Sequence, residues 1–376
     1  MLLAASLVYF MGVYLLLPTL PLYAVHLGGG DAIAGLLMGI FTVAAISVRP
    51  LTGWALDAYG RKAILVVGTL ISAVSIFAHE WAVSIMLLLA LRFINGLGFG
   101  LQTTAASTLA GDMAPRARLG EGIGFFTLAI GVPMAIAPAV GMWLVDRGDF
   151  SALFLLAGRL TAVSLLLCFF IPFPERVGAR LPFSRPSFAS LFERGSSFPA
   201  AMVFLLTITY GPILSLLALY GVDRGLGNVG VFFTVYAVVL TATRPLSGRL
   251  ADGWGFEPTA AVGLAFVGVG LLTLAAAHSL VVLLLAAGLY GVGFGTSQPS
   301  LQAIVIHRVA PARRGAAMAT FLIAYDLGLT VGSVIAGFLA GVLTLGGVFA
   351  FSAALAVLAI VLLVVHMRRG AAALVR

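Results

Sequence analysis

Charge is the first thing this chain lacks. Only 9% of its 376 residues are Asp, Glu, Lys or Arg, where soluble domains carry roughly a quarter. So few charges cannot cover a water-facing surface, which excludes a soluble globular protein. Lysine occurs once, at Lys62, outside any GxxxxGK[ST] setting, so no phosphate-cradling loop for a nucleotide is present. Cysteine also occurs once, at Cys168 inside an apolar run, which excludes an intrachain disulfide. The five histidines fall at span ends: His26, His79 and His278 on one side, His307 and His366 on the other. No His/carboxylate cluster or Ser/His pairing lies within the apolar runs, so neither an enzyme nor a metal site is expected, and no cofactor is called for.

Apolar residues fill the chain instead. They make up 61% of it, with a mean hydropathy of +1.15. The 45 glycines suit helices that approach closely in lipid. Runs of about 20 apolar residues are long enough to cross a bilayer. They occur near 2–25, 31–56, 63–79, 82–110, 119–145 and 151–172, then near 197–221, 227–251, 258–277, 280–306, 315–343 and 346–366. The run that opens the chain is too long for the apolar part of a cleaved signal peptide and reads as the first span.

The net charge of +8 is a topology signal, not a nucleic-acid surface. Alternate connections gather nearly all the arginines, among them Arg61, Arg116, Arg118, Arg176, Arg180, Arg185, Arg249, Arg313 and Arg376, whereas the opposite connections hold only Arg147 and Arg224. The positive-inside rule then predicts that both termini are cytoplasmic and that the protein sits, multi-pass, in the cell (inner) membrane. Residues 173–196, rich in Pro, Ser and Arg, are the one long polar connection and read as a cytoplasmic linker. They separate 1–172 from 197–376.

Those two parts are copies. Arg49–Lys62 (RPLTGWALDAYGRK) returns 195 residues later as Arg244–Glu257 (RPLSGRLADGWGFE), with an Asp eight residues after the Arg each time, Asp57 and Asp252. Leu97–Gly100 returns in the same register as Val292–Gly295, and Ala114–Arg118 one residue later as Ala310–Arg314. A repeat of this length makes the fold a pair of six-helix bundles, all-α and integral to the membrane. Two halves repeated in parallel sense are the arrangement of secondary transporters that work by alternating access.

The first copy resembles the loop signature of the major facilitator superfamily through Gly53, Asp57, Gly60, Arg61 and Lys62. The second keeps Gly248, Asp252 and Gly255 but has Phe256 and Glu257 in place of the basic pair. Leu87–Gly100 is similar to that family's fourth-helix pattern with an embedded Arg, here Arg92, although Asn95 stands where Gln is usual. Gly131–Trp143 resembles the fifth-helix pattern of proton-coupled exporters through Pro138 and Gly141, with Ala137 departing from it. The resemblance covers essentially the whole chain.

It implies a proton-coupled efflux carrier of small organic solutes, close to the drug- and sugar-efflux antiporters, working as a monomer in membrane lipid. An importer or facilitator on the same fold is the second reading. Roles follow for particular residues. Asp326 is the only acid deep in a span, about 18 Å past Arg314 at 1.5 Å per residue. Helices two and eleven face each other in the family, so Asp326 is expected to pair with Arg49 and to carry the coupled proton or meet a cationic group of the substrate. Arg92, Asn95 and Gln102 share a stripe on span four, while Gln298 and Gln302 share one on span ten, and with Tyr210 they are the expected substrate contacts. Gly53, Asp57, Gly60, Arg61, Lys62, Asp112 and Asp252 are expected to form the gate, with Asp57 capping the start of span eleven and Arg61 pairing with Asp112. Pro138 and Gly141 are expected to serve as hinge and packing positions.

Overall fold

The computed structural model describes residues 1–172, 191–226 and 228–374, the side chains of 31, 32, 34 and 369–374 excepted. Most of the expected linker, with Arg176, Arg180 and Arg185, lies outside the described residues, as does Arg376.

The described residues form helices throughout, and twelve spans among them are long and apolar enough to cross a membrane. The first six are α1 (Leu2–His26), α2 (Asp31–Tyr59), α3 (Arg61–Ala78), α4 (Ile85–Met113), α5 (Leu119–Val145) and α6 (Phe150–Phe169). The seventh apolar run, expected as one helix, is interrupted at Thr209 into α7 (Ser197–Ile208) and α8 (Tyr210–Arg224). Pro212 is the physical reason, because it has no N–H to return to the carbonyl of Ile208. Thr209 tightens the break by donating from Oγ1 to Leu206 O at 2.6 Å. There follow α9 (Gly230–Trp254), α10 (Phe256–Ala275), α11 (Leu280–Arg308), α12 (Arg314–Ala340) and α13 (Leu345–Leu374).

Some helix starts are capped by short polar side chains. Ser84 and Ser279, 195 residues apart, accept from Leu87 N and Val282 N at the starts of α4 and α11. Asp149 accepts from Ala152 N at the start of α6. Within the spans, threonines such as Thr19, Thr69 and Thr108 donate to the carbonyl four residues back, which satisfies those hydroxyls in lipid. Gly60 and Gly255, at φ 97° and 98°, end α2 and α9 and begin the next helix at once. Only glycine takes that backbone conformation without cost.

Contacts divide the chain into two compact units. The first is Met1–Met113, Leu128–Arg194 and Val309–Thr320; the second is Ala114–Thr127, Gly195–Arg308 and Phe321–Arg376. They differ from the sequence halves in one respect: the first turns of α5 and α12 belong to the opposite copy. Within the first unit α3 packs on α4 and α6, α1 on α6 and α2 on α4. The second repeats that plan, with α10 on α11 and α13, α7 on α13 and α9 on α11. The interior of the first unit is built round Tyr9, Phe10, Ile76, Leu88 and Phe154.

Candidate functional site

The repeated loop caps the start of a helix in each unit. In the first, Asp57 lies two residues before the end of α2, its side chain 1% exposed. It accepts from Gly315 N at 2.9 Å and from Ala316 N at 3.0 Å, at the start of α12. These N–H groups lie in the first turn of α12, just after the 3-10 turn Pro311–Arg313, so a carboxylate there meets both hydrogen bonds and the positive end of the helix dipole. A Cβ at Gly53 would stand 2.8 Å from Gly315 O and Ala316 Cα. Only glycine lets the two backbones come so close.

Arg61 binds three groups at once. Its Nε donates to Asp112 at 2.9 Å, Nη1 to Leu56 O at 2.8 Å and Nη2 to Pro311 O at 2.9 Å. Arg314, which the sequence marked only as a span boundary, donates to the other oxygen of Asp112 at 2.8 Å. Asp112 is thus held between two arginines. Arg313 adds a contact to Glu193 at 2.8 Å and one to Phe192 O at 2.9 Å. The repeated Ala-Pro-x-x-Arg ending on Arg118 and Arg314 was the available signal for Arg314. Lys62 is exposed.

The second unit keeps the cap and changes the lock. Asp252 accepts from Gly120 N at 2.7 Å and Glu121 N at 2.9 Å, at the start of α5. Gly120 and Glu121 stand 195 positions before Gly315 and Ala316. Where the first copy pairs Arg61 with Asp112, the same register gives Phe256 and His307. Those rings meet edge to face at 5.6 Å. Arg249 pairs with Glu121 at 2.7 Å nearby. Loss of the basic pair from the second loop therefore leaves its carboxylate cap intact.

Inside the first unit, two arginines are buried. Arg49 donates to Thr103 Oγ1 at 3.2 Å and Thr104 Oγ1 at 3.0 Å. Arg92 donates from Nη1 to Asn95 Oδ1 at 3.1 Å, and Asn95 donates to Ser75 Oγ at 3.2 Å. His79 Nδ1 lies 2.6 Å from Ser75 O, and Tyr9 OH meets Ser72 Oγ at 2.8 Å. Arg92 and Asn95 therefore share one network between α4 and α3. Gln102 is also buried, but its Oε1 has no hydrogen-bond partner. The α3 side of this network was invisible to a reading made span by span. Pro138 is half-buried in α5, and Gly141 seats α5 close to the Leu15 carbonyl of α1.

In the second unit, Gln298 donates to Gln302 at 3.1 Å, leaving Gln298 Oε1 and Gln302 Nε2 buried without partners. Tyr210 stands in an aromatic box, stacked on Tyr236 at 5.4 Å and Tyr290 at 6.1 Å, with Phe294 at 5.7 Å. Thr209 bonds the Tyr290 hydroxyl at 2.9 Å. Arg244, the repeat of Arg49, donates to Thr127 O. Asp326 is half-buried in α12, and its carbonyl accepts from Thr330.

Twelve spans, a duplicated bundle and a carboxylate cap on a helix start in each copy are the features of a polytopic membrane transporter. The model of the Major Facilitator Superfamily matches the chain twice, over residues 2–234 and 200–374, and the chain belongs to that family. An uncharacterized MFS-type transporter of Methanocaldococcus jannaschii is 24% identical over 91% of this chain and 91% of its own length. Among solved structures, the human organic anion transporter MFSD10 superposes with a TM-score of 0.81 at 19% identity, covering 96% of this chain and 97% of that one. The Escherichia coli fucose:proton symporter FucP gives 0.80 at 17%, with the same coverage. At those identities the two structures speak for the fold. The matched proteins are transporters rather than enzymes, and this chain is a multi-pass secondary transporter.

Proposed function

We propose that this protein exports small organic solutes in exchange for protons, by alternating access, with both termini in the cytoplasm. The observation that supports it most directly is the pair of latches. Each consists of one carboxylate on the first N–H groups of a helix, and the first adds Asp112 between Arg61 and Arg314. Such bonds are strong enough to hold an end of the bundle closed and are exchanged for water when it opens. Gly53, Gly60, Arg61, Lys62, Asp57, Asp112 and Asp252 are accordingly assigned to gating.

Coupling is assigned to Asp326, with Arg49 as the cation that responds to its charge. A carboxylate deep in a span is costly unless it is used, and it can be neutralised by the proton it carries. Arg92, Asn95, Gln102, Tyr210, Gln298 and Gln302 are assigned to solute contact. The two amide atoms left without partners, Gln298 Oε1 and Gln302 Nε2, offer one acceptor and one donor to a solute. The efflux direction is supported by the Gly131–Trp143 segment, where Pro138 and Gly141 follow the exporter pattern. The structural neighbours are named for an organic anion in one case and fucose in the other, so the fold leaves the cargo open.

The deciding experiment uses the purified protein in liposomes that enclose a pH-sensitive dye. A panel of organic anions, sugars and amphiphilic cations is added outside. Exchange predicts that an accepted solute moving one way drives protons the other, and that Asp326→Asn removes the pH dependence. Wild-type flux with unchanged pH dependence in Asp326→Asn would remove the coupling assignment. Solute and protons moving in the same direction would replace exchange with symport, the importer reading.

A further inference from the structure

Arg92 is the least explained group in the molecule. It lies seven residues into α4 and is 0% exposed, yet its one side-chain hydrogen bond goes to the neutral Asn95. None of the ion pairs among the described residues includes it. A buried guanidinium without an anion is costly, and proteins normally pair it or shift it toward neutrality. Two of its nitrogens, Nε and Nη2, are buried with no hydrogen-bond partner. Those two N–H groups share one edge of the guanidinium, the edge that grips both oxygens of a carboxylate side-on. Asn95 holds the remaining nitrogen, Nη1, and so fixes the plane of the fork.

Aromatic rings lead from the guanidinium. The Phe41 ring centroid is 4.0 Å from the Arg92 guanidinium carbon. Phe41 meets Phe99 at 5.0 Å, Phe99 meets Phe10 at 6.2 Å, and Phe10 meets Tyr14 at 5.6 Å. Phe99 and Tyr14 are half-buried, so the aromatic set extends from the buried cation to the accessible surface of the first unit.

The second unit supplies an internal control. In the 195-residue register Phe41 becomes Tyr236, Phe99 becomes Phe294, Asn95 becomes Tyr290 and Arg92 becomes Ala287. The second unit packs three of these positions as an aromatic box, with Ala287 where the first unit has the arginine. The packing of these helices does not need the charge, so the charge in the first unit serves something else.

We infer that Arg92 receives the carboxylate of an organic anion whose apolar, preferably aromatic, body lies along Phe41 and Phe99. This rests on the transport reading and names the solute class for the site in the first unit. A neutral amide or alcohol of the same shape has no pair of anionic oxygens to offer the fork, and a cation is repelled.

The test is binding to the purified full-length protein, with benzoate as probe, benzamide as its neutral isostere and chloride as a small anion. Calorimetry and melting temperature are read together. Benzoate is expected to bind saturably and raise the melting temperature, while benzamide and chloride do neither at equal concentration. Arg92→Met is expected to weaken benzoate at least tenfold while melting no lower than wild type without ligand, since it removes an uncompensated charge. Arg92→Lys keeps the charge and loses the fork, so it should fall between the two, and it decides the matter where the Met variant fails to fold. Equal binding of benzoate and benzamide, benzoate binding unchanged in either variant, or stabilisation by chloride alone would each overturn the assignment. Flux of some other solute without benzoate selectivity would overturn this inference and leave the transport reading intact. Selective benzoate binding with no flux of any solute would do the reverse.

Discussion

Asp57 and Asp252 show how much one side chain can do at a helix end. Each supplies two oxygens to two N–H groups of a helix remote in sequence. An Ala keeps neither acceptor nor charge, so Asp57→Ala and Asp252→Ala should each cost about 0.5–2 kcal/mol, the range for a lost cap. The drop in melting temperature measures it. Asp57 also lies 3.4 Å from Arg61 Nη1, and Asp252 has no such cation in the matching position. Transport should therefore fall further in Asp57→Ala than in Asp252→Ala, and equal loss would mean that the ion pair adds nothing to the latch. Gly53 makes a separate prediction. With its Cβ site 2.8 Å from backbone atoms of α12, Gly53→Val should destabilise by about 1–3 kcal/mol through overpacking, seen as a lower melting temperature.

Among elements, the starts of α12 and α5 matter most, because each belongs by contact to the unit of the other copy. The ion pairs explain the first case. Arg61, Asp112 and Arg314 join α3, α4 and α12 through one shared carboxylate. Residues in one network are not independent, so a double-mutant cycle on Arg61→Ala and Arg314→Ala should give a coupling of about 0.5–3 kcal/mol, whereas distant sites add. Phe256 with His307 fills the same positions in the second copy without formal charge pairing. With Glu257 neutralised as Glu257→Gln to remove the neighbouring ion pair with Arg308, raising the salt concentration should loosen the first latch more than that ring contact. Fluorophores placed on the ends of α3 and α10 would read the difference. The interruption at Thr209 belongs to this scale too. Hydropathy sees one apolar run there, while the missing N–H of Pro212 divides it.

Across the whole molecule, the proposed orientation can be tested with the chain's own scarcity of cysteine. Cys168 is buried, and Cys168→Ala provides a background without thiols. Val83 is 83% exposed between α3 and α4, and Ala117 is exposed in the basic turn before α5. An impermeant maleimide applied to intact cells should label Val83→Cys and spare Ala117→Cys, and the opposite pattern would invert the topology.

Much of this protein was legible in its sequence. Twelve spans, the duplication and the loop signature depend on local hydropathy and on motif spacing, and both are written residue by residue. The membrane makes that reading sharp, since lipid obliges each backbone segment to satisfy its own hydrogen bonds as helix. Which polar groups meet is another matter, because it depends on how faces of different helices turn toward one another. Arg92 and Asn95 read as a stripe on one helix, and only the packing of α3 on α4 brought Ser75 and His79 to them. Arg314 read as a span boundary until the fold placed it on Asp112. The second loop read as worn, yet Asp252 caps α5 as Asp57 caps α12, because the cap needs only a carboxylate and a helix start. The tertiary structure decided those meetings and left one edge of Arg92 without a protein partner.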